Sequence, residues 1–404
     1  MRIAFLNPSG TIGGAERCLL DLLRGIREFE PDWELHVVVS SNGELAGELA
    51  KLGVPCTIVQ FPSALSQLGD AGSRGWSARM RVAARAALAT PSILRYAARI
   101  SQFLVNYKPE VVHTNGLKMH AIGALAKPAG SVLVWHIHDF TSSRPVMARV
   151  LRFLSPRCAL CIANSRSVGD DSRATFGSRL SIRTIMNGVD LLSFRPDGVK
   201  LDLDGMFGVV RSGSAPVRIG LVATMAPWKG HSVFLRAIAL IDRSIPIAAY
   251  IIGGPIYATG TEQEKLERLK GIAASLGILD RVFFTGHIQD VPSAMRALDV
   301  IVHASTLPEP FGLVIIEAMA TGRPVIVSPL GGAAEIVAEG SFALRAEPGD
   351  PTSLAHQMTL LALDGQLRQA MGEAGRSEAE RKFGSLRLSK EFIQAYATIR
   401  PTRS

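Results

Sequence analysis

Short apolar runs alternate along the chain with longer segments in which apolar residues recur at helical spacing. The runs cover residues 2–7, 34–40, 56–60, 111–114, 132–137 and 160–163 in the first half, and 218–223, 248–252, 281–287, 300–302 and 324–328 in the second. Such runs are typical of strands buried on both faces of a parallel sheet, with a helix crossing between successive strands. The pattern therefore predicts an α/β fold built from repeated strand–helix units.

The alternation stops between residues 196 and 216, where glycine, aspartate and serine interrupt the apolar pattern. A chain of 404 residues is too long for one ordinary hydrophobic core, so two domains of roughly 200 residues each are expected. We therefore predict a first domain over residues 1–195, a linker over 196–216 and a second domain over 217–384.

Composition agrees with a globular protein of a reducing compartment. Hydrophobic residues make up 47% of the chain and charged residues 20%, unlike a disordered chain. Four cysteines form no disulfide framework at this size, and Cys158 and Cys161 lie in a predicted buried strand, so we expect a structural role for both. The chain begins without the apolar length of a signal sequence, and no apolar run approaches the ~20 residues of a membrane span. We expect a cytoplasmic protein, soluble or peripheral at the inner face of the membrane.

The excess positive charge is concentrated in the first half of the chain. Residues 1–195 contain 23 lysines and arginines against 14 acidic residues, and the remainder is balanced, so the net charge of +9 lies there. Residues 71–109 hold seven basic residues and no acidic one, interleaved with apolar side chains. This suits a pair of basic amphipathic helices on an anionic membrane surface, and an arginine-rich helical face in solvent is the alternative. No nucleic acid partner is expected, because no recognisable binding module accompanies the charge.

Two glutamates in the second half of the chain form a candidate site. Glu309 lies in a proline-flanked turn that follows the run 300–302, and Glu317 lies eight positions later on a predicted helix. A strand, a turn and a helix in that order place free backbone N–H groups beyond the carboxyl end of the strand, where anions bind. These N–H groups belong to Phe311, Gly312 and Leu313.

Glu317 is unusual because its helix is otherwise apolar, and a carboxylate there is costly without hydrogen-bond partners. The two hydroxyls of a ribose would supply donors to both of its oxygens. Glu309 could accept hydrogen bonds from the hydroxyls of a sugar. The alternative is that Glu309 is a solvated loop charge and that Glu317 is paired with a neighbouring basic side chain.

The segment that contains both glutamates, Glu-Pro-Phe-Gly-Leu-Val-Ile-Ile-Glu at 309–317, closely resembles the Glu-x7-Glu signature of retaining glycosyltransferases of the GT-B fold, family four. Gly-Gly-Ala-Glu-Arg at 13–17 and Ala-Pro-Trp-Lys-Gly at 226–230 resemble two further motifs of that family. The resemblance extends over roughly residues 1–395. It implies two Rossmann-like doubly wound domains that face a cleft, with the last helix, about 385–404, joined to the first domain.

The resemblance also implies a reaction. A sugar would pass from a nucleoside diphosphate sugar to an acceptor with retention at the anomeric carbon, without a metal or other cofactor. We favour a UDP-sugar over a GDP-sugar as the donor, and we expect a lipid-linked or cell-surface polysaccharide intermediate as the acceptor. Asp202 and Asp204 superficially look like a metal-binding pair, but they lie in the polar linker and no metal is expected there.

The donor would be held mainly by the second domain. Lys229 lies at a predicted strand-to-helix corner and is a natural counter-charge for a diphosphate. Thr224 stands where many relatives have an arginine, so another basic group, Arg323 or Arg17, would have to contribute. The full set of donor-binding residues that the resemblance implies is Gly13, Gly14, Thr224, Lys229, Gly286, His287, Ile288, Glu309, Phe311, Gly312, Leu313 and Glu317.

Histidines follow two predicted strands of the first domain, at the carboxyl ends where side chains line a cleft. The resemblance matches His138 to the cleft histidine of the family, and we predict catalytic roles for His138, Glu309 and Lys229. The acceptor side is assigned to His113, Asn115 and Asp139. A buried structural role is the equal alternative for His113. We expect His136 in the core, facing away from His138 and sharing no metal with it.

Other functions fit parts of the same pattern. A nucleotide-sugar epimerase of the same architecture would convert the donor without an acceptor. A non-catalytic protein would bind the sugar nucleotide without reaction, and Thr224 slightly favours it. A dinucleotide dehydrogenase is disfavoured, because Gly10, Gly13 and Gly14 do not follow the Gly-x-Gly-x-x-Gly spacing.

Overall fold

The computed structural model of the chain describes residues 1–63, 76–178, 180–208, 215–254 and 266–399. Contacts within the chain divide it into two compact units. The first comprises Met1–Gly188 and the C-terminal segment that begins at Ser385, and the second comprises Val189–Gly384. The described part of the predicted linker belongs by its contacts to the second unit, where the Leu201 N–H donates to the Ser293 carbonyl (3.1 Å).

The first unit contains a seven-stranded parallel sheet. Its strands are β1 (Arg2–Asn7), β2 (Glu34–Val39), β3 (Cys56–Ile58), β4 (Val111–Asn115), β5 (Val132–Ile137), β6 (Leu160–Ala163) and β7 (Ile182–Thr184). They lie in the order β3-β2-β1-β4-β5-β6-β7. The interior strands are almost wholly buried, as their apolar runs predicted, and β7 at the edge was not predicted.

Helices cover both faces of this sheet, so the unit is doubly wound. They are α1 (Gly14–Phe29), α2 (Leu45–Lys51), α3 (Trp76–Tyr107), α4 (Leu117–Ala126), α5 (Pro145–Leu154) and α6 (Arg166–Phe176). One hydrophobic core lies between the sheet and α1 and α2, and the other between the sheet and α3 to α6.

The helix α3 is continuous from Trp76 to Tyr107, with Pro91 inside it. The prediction of two helices over residues 71–109 is therefore wrong for the part of that segment that the structure describes. Beyond Pro91, the fully buried side chains of Tyr96, Ile100 and Leu104 hold the helix against the sheet. This packing keeps the second half of α3 in place although the proline removes one helical hydrogen bond.

The second unit contains a six-stranded parallel sheet. Its strands are β8 (Val217–Val222), β9 (Ile247–Ile252), β10 (Val282–Gly286), β11 (Val300–His303), β12 (Val325–Val327) and β13 (Ala343–Arg345), in the order β10-β9-β8-β11-β12-β13. Its helices are α7 (His231–Leu240), α8 (Leu266–Ser275), α9 (Val291–Arg296), α10 (Leu313–Ala320), α11 (Gly332–Ile336), α12 (Pro351–Leu363) and α13 (Gly365–Lys382). This unit is therefore a second α/β sheet with its own core.

The last helix, α14 (Ser385–Thr398), belongs to the first unit. It packs on α1 and contributes Phe392 and Tyr396 to the core beneath the sheet. No helix among the described residues combines the length and the apolar character that crossing a bilayer requires.

Each sheet contains a position where the winding of the chain reverses. β8 pairs with β9 on one side and with β11 on the other, and β1 pairs with β2 and β4 in the same way. Loops that leave such neighbouring strands in opposite directions open a crevice at the strands' carboxyl ends, where ligands of open α/β sheets bind. In the second unit this position belongs to the loops 223–230 and 304–312.

Candidate functional site

Two loops of the second unit are joined at the carboxyl ends of β8 and β11. The Thr306 N–H donates to the carbonyl of Trp228 (2.7 Å), and the Thr306 hydroxyl approaches the same oxygen (3.3 Å). Gly230 begins α7 with a φ of 75°, and a Cβ at this position would overlap with the carbonyl of Ala304. Only glycine fits here, so the position of Lys229 at the end of its turn is set by the backbone on both sides.

Glu309 is buried at this junction, with 6% of its surface exposed. Its Oε1 accepts a hydrogen bond from the Lys229 ammonium (2.7 Å) and from the Ser305 hydroxyl. The Nε2 of His303 lies 3.2 Å from the same oxygen. The alternative that Glu309 is a solvated loop charge is therefore wrong.

The electrostatics of this cluster keep Glu309 ionised. Burial alone would raise the pKa of the carboxyl, but the attraction of Lys229 and of His303 outweighs it and holds the pKa below its ordinary value. A buried anion with three polar neighbours on one oxygen has a defined orientation. His303 and Ser305 were not identified from the sequence, although His303 is the last residue of the buried strand β11 and Ser305 lies two residues later.

The turn after Glu309 leads into the N-terminus of α10. Gly312 precedes the helix with a φ of 108°, which favours glycine. Its first N–H groups have no partner within the helix. The turn is held from behind by the Gly332 N–H, which donates to the Glu309 carbonyl (2.8 Å), and by Phe311, which is buried and lies against Phe383. The backbone N–H groups of residues 311–313, which are predicted to bind an anion, therefore lie in a turn whose position is fixed by these contacts.

Glu317 lies on α10, four residues after Leu313 and about 6 Å further along the helix axis. It is half-buried, and the neighbouring Ile316 and Ala318 are fully buried. The helix is therefore mostly buried, as the sequence indicated, and the carboxylate is at its partly accessible side. The structure places Glu309 and Glu317 on the same turn-and-helix unit.

The remaining donor-binding predictions of the second unit lie at neighbouring strand ends. Gly286 ends β10 with a φ of 72°, and its carbonyl accepts the Gly253 N–H (2.9 Å). His287 is exposed and Ile288 half-buried. Thr224 follows β8 and is half-buried, with its carbonyl accepting the Ala226 N–H (2.8 Å).

Arg323 does not join this group. It lies two residues before β12 and donates to the carbonyl of Arg296 (2.7 Å), at the amino ends of the strands. Lys229 follows the carboxyl end of β8, so Lys229 and Arg323 lie at opposite ends of the strands of this sheet. The prediction that Arg323 replaces the charge missing at Thr224 is therefore wrong. Arg17 lies on α1 of the first unit.

In the first unit, polar side chains form a line below the carboxyl ends of β4 and β5. Tyr396 Oη lies 2.8 Å from His113 Nδ1, His113 Nε2 lies 3.3 Å from Asn115 Oδ1, and His138 Nε2 lies 3.4 Å from the same oxygen. An amide oxygen only accepts, so both histidines present an N–H to it and Tyr396 donates to His113. His113 is fully buried, which fits the structural alternative for it.

These histidines are neutral at pH 7. Burial lowers the pKa of His113 to about 3 and that of His138 to about 4. The rings of His136 and His138 lie only 3.9 Å apart. The expectation that they face opposite ways is wrong, because residues two positions apart on a strand share a face. Among the described residues, no group of three or more histidine, cysteine, aspartate or glutamate side chains has an arrangement that could hold a metal ion.

Other predicted positions have clear local partners. Asp139 pairs with Arg144 (3.1 Å) and accepts the Phe140 N–H (2.9 Å). The buried Glu16 accepts hydrogen bonds from the Gly13 N–H (3.0 Å) and from Asn7 (3.1 Å). Gly13 therefore begins α1 beneath a buried carboxylate, and Gly14 is exposed.

The two acidic residues of the linker and the cysteine pair have structural environments. Asp204 binds Arg218 and Tyr250, both at 2.6 Å, and Asp202 accepts the Gly205 N–H (2.9 Å). Cys158 and Cys161 are free, buried thiols whose pKa values are raised by burial. The structural interpretation of the cysteine pair therefore agrees with their burial.

Family models match both halves of the chain. Residues 210–378 match the model described as "Glycosyl transferases group 1", and residues 12–192 match "Glycosyltransferase Family 4". The first match contains the Lys229–Glu309 junction and α10. The second contains α1 and the line of histidines.

Individual relatives agree with these matches. The D-inositol 3-phosphate glycosyltransferase of Corynebacterium urealyticum is 31% identical over 245 residues, which is 59% of this chain and 56% of that protein. The GDP-mannose-dependent alpha-(1-6)-phosphatidylinositol monomannoside mannosyltransferase of Mycolicibacterium smegmatis is 29% identical over 269 residues, 63% of this chain and 67% of that protein. The chain spans about half the length of the curated relatives matched first, 56% and 47%.

Similarity to a solved structure extends over the whole chain. A crystal structure of Anabaena Alr3699/HepE in complex with UDP-glucose is 25% identical, with a TM-score of 0.80 and coverage of 99% of this chain and 100% of that one. The predicted fold class, two Rossmann-like doubly wound domains, is confirmed by this similarity and by the two sheets.

Proposed function

Because the chain belongs to the group 1 glycosyltransferases of the family-four type, we propose that it transfers a sugar from a UDP-sugar to an acceptor with retention at the anomeric carbon. The observation that carries this proposal is the junction at the carboxyl ends of β8 and β11. There a lysine in the loop after β8 donates a hydrogen bond to an ionised, buried glutamate in the loop after β11, and the second loop leads into a helix N-terminus. The UDP-glucose complex of the Anabaena relative supports uridine as the base.

Each part of a nucleoside diphosphate sugar has a matching group in the second unit. Lys229 and the N–H groups of Phe311–Leu313 would neutralise the diphosphate. Glu317 would accept hydrogen bonds from both ribose hydroxyls, and Glu309 from hydroxyls of the donor sugar. The base would lie against backbone atoms of Gly286–Ile288.

The chemistry needs charge stabilisation more than a nucleophile. The bond from the anomeric carbon to the diphosphate oxygen breaks, and the bond to the acceptor oxygen forms on the same face of the sugar. The acceptor's proton passes to the departing phosphate oxygen. Negative charge grows on the diphosphate, and positive groups already in place stabilise it. We propose that the chain supplies them itself, without a metal or other cofactor.

On the acceptor side, we assign His138, Asn115 and Asp139 of the first unit. Burial lowers the pKa of His138 to about 4, so it would act as a neutral hydrogen-bond partner at pH 7. Gly13 and Gly14 remain in the proposed donor set. The proposed acceptor is a lipid-linked or polysaccharide intermediate at the cytoplasmic face of a membrane, with segment 71–109 towards the anionic surface.

Donor binding tests the proposal most directly. Thermal unfolding is measured with UDP-, GDP- and ADP-sugars, and UDP-glucose is expected to raise the midpoint most. Glu317→Ala should weaken this binding about tenfold or more, because two hydrogen bonds to a charged group are lost. Glu339→Ala, which removes a carboxylate that is 83% exposed, is the matched control. Wild-type affinity in Glu317→Ala would remove the ribose assignment.

Turnover separates the alternative functions. For a transferase, UDP is released from UDP-glucose only when a membrane lipid extract supplies an acceptor, and Glu309→Ala lowers this release more than it lowers donor affinity. Conversion of the donor without the extract would indicate an epimerase. Binding without any release would indicate a non-catalytic protein, the alternative that Thr224 favours.

A further inference from the structure

The short helix α5 exposes an apolar and basic face to solvent. Phe153 is 83% exposed and Val150 is 41% exposed, whereas Leu151 and Leu154 are buried against the core. At 100° per residue, Arg149, Val150, Arg152 and Phe153 fall within an arc of about 160°. Phe153 therefore lies between Arg149 and Val150 on the outer side of the helix, and Arg152 lies beyond Arg149.

The helix itself and the residues directly before and after it carry only positive charge. Residues 140–169 contain five arginines, Arg144, Arg149, Arg152, Arg157 and Arg166, and no aspartate or glutamate. Arg144 pairs with Asp139 at one end of the helix. In the described part of the chain, Arg149, Arg152 and Arg157 take part in no ion pair; Arg152 and Arg157 donate only to backbone carbonyls, at 3.3 Å each. No ion pair among the described residues neutralises these three arginines; on the neighbouring helix α6, Asp170 pairs with Arg173 and Asp171 accepts the Ser142 N–H.

The neighbouring helix α3 also exposes apolar and basic side chains. α5 packs beside both α4 and α3, on one face of the sheet. α3 exposes Leu88 (83%) and Leu94 (54%) together with Arg95 and Arg99. The sequence pointed to residues 71–109 alone, and the structure adds α5, which is remote in sequence but adjacent on this face.

We propose that α5 docks on a bilayer surface rich in anionic lipid, with Phe153 and Val150 among the headgroups and Arg149, Arg152 and Arg157 against the phosphates. An exposed aromatic ring beside a valine and two arginines has the composition of an interfacial helix. A second copy of this chain would bring identical positive faces together, and a nucleic acid would leave the aromatic and aliphatic side chains without a partner. This docking is independent of the proposed sugar transfer.

Sedimentation of the full chain with vesicles tests the docking. Vesicles of phosphatidylcholine with phosphatidylglycerol should pellet the protein at low salt, and vesicles of phosphatidylcholine alone should not. Arg149→Gln with Arg152→Gln should lower the partition coefficient about 25-fold, from about fivefold per arginine. Phe153→Ser should lower it about tenfold. Leu192→Ser, at a leucine of the second unit that is also 83% exposed, is the matched control and should not change it.

A tryptophan at the same position reports on insertion. Phe153→Trp should retain binding, and its difference fluorescence from wild type should shift to the blue with anionic vesicles and be quenched by brominated lipid. Unchanged thermal unfolding of each variant shows that the substitutions act on docking and not on folding. Wild-type binding by Phe153→Ser and by the arginine double variant would overturn the proposal. So would dimers that form without lipid and depend on Phe153.

Discussion

Removal of Lys229 and removal of Glu309 should destabilise the second unit by different amounts, although the two side chains form one pair. The Glu309 side chain is 8% exposed and the Lys229 side chain is 22% exposed. An unpaired charge costs more where water reaches it less. We therefore expect Lys229→Met to lower the free energy of unfolding more than Glu309→Gln does.

At pH 7 there is an upper limit to the free energy of unfolding that Lys229→Met can remove. Without Lys229, the Glu309 carboxylate either stays ionised beside Ser305 and His303 or takes up a proton. Protonating at pH 7 a carboxyl whose ordinary pKa is 4.5 costs about 3.4 kcal/mol, at 1.36 kcal/mol per pH unit. The loss in Lys229→Met should therefore be about 2–3 kcal/mol. In Glu309→Gln the amide oxygen still accepts and the ammonium reaches water, so the loss should be about 1 kcal/mol.

The difference between the two variants should shrink as the pH falls. In the wild type the pKa of Glu309 is lowered, so the carboxylate contributes stability that is present above pH 4.5 and is lost as the pH falls through the lowered pKa. Lys229→Met removes the main attraction and raises this pKa. At pH 5, protonation of the carboxyl costs only about 0.7 kcal/mol, so the variants should differ by less than about 1 kcal/mol.

Urea unfolding of the full chain at pH 7 and pH 5 measures these losses. Trp228 is the only tryptophan of residues 189–384, whereas Trp33, Trp76 and Trp135 lie in the first unit, so the fluorescence of Trp228, obtained as the difference from chains that also carry Trp228→Phe, reports on the second unit. Arg243→Met, which breaks an exposed pair with Asp280, is the control and should cost less than about 0.5 kcal/mol. Equal losses for the two variants at pH 7, or a difference that persists at pH 5, would refute the reasoning.

Three further outcomes test the packing of the two units. Between pH 7 and pH 5 the free energy of unfolding of the first unit should fall by about 2 kcal/mol for each of His113 and His138. Their pKa values are lowered from 6.5 to about 3 and about 4, so the stability present above pH 6.5 is lost as the pH falls. Urea midpoints that do not change with pH would contradict this. Tyr396→Phe should cost about 2 kcal/mol in urea unfolding, because it leaves the buried Nδ1 of His113 unpaired. Gly230→Ala should lower the free energy of unfolding by about 2 kcal/mol or more. Gly271→Ala, at an exposed helical position with open space around it, should raise the free energy of unfolding by about 0.5 kcal/mol. Similar thermal midpoints for the two variants would argue against backbone strain at position 230.

The sequence predicted the interior strands and the edge strands β3 and β10, and it missed the edge strands β7 and β13. β4 and β11 are buried along their whole length and therefore appear as uninterrupted apolar runs. β7 and β13, each at one edge of its sheet, have three residues of which none is fully buried. A short edge strand pairs on one side only, so its side chains need not form an apolar run. β7 and β13 each contain an arginine, whereas the edge strand β3 opens the run Cys-Thr-Ile-Val-Gln.

The histidines of the first unit show where sequence reasoning went wrong. His136 and His138 were expected on opposite faces, but residues two positions apart on a strand lie on the same face, and their rings are 3.9 Å apart. The role of Asn115 as the shared acceptor of His113 and His138 was not predictable, because it depends on the pairing of β4 with β5. The spacing of residues along a strand predicts which face of the sheet a side chain lies on. Which side chains it contacts on the next strand depends on the order of the strands in the sheet.

The same distinction explains the network around Glu309. Lys229 and Glu309 are 80 positions apart and meet because β8 and β11 are adjacent in the sheet, so each was predicted singly and their pairing was not. His303 and Ser305 are two positions apart at the end of β11, and both reach the carboxylate to which the turn returns, whereas Ala304 between them does not. Strand alternation alone therefore selects 303 and 305 as the residues beneath Glu309. The network was hidden in the sequence because the histidine and the serine continue a run that is otherwise typical of a buried strand.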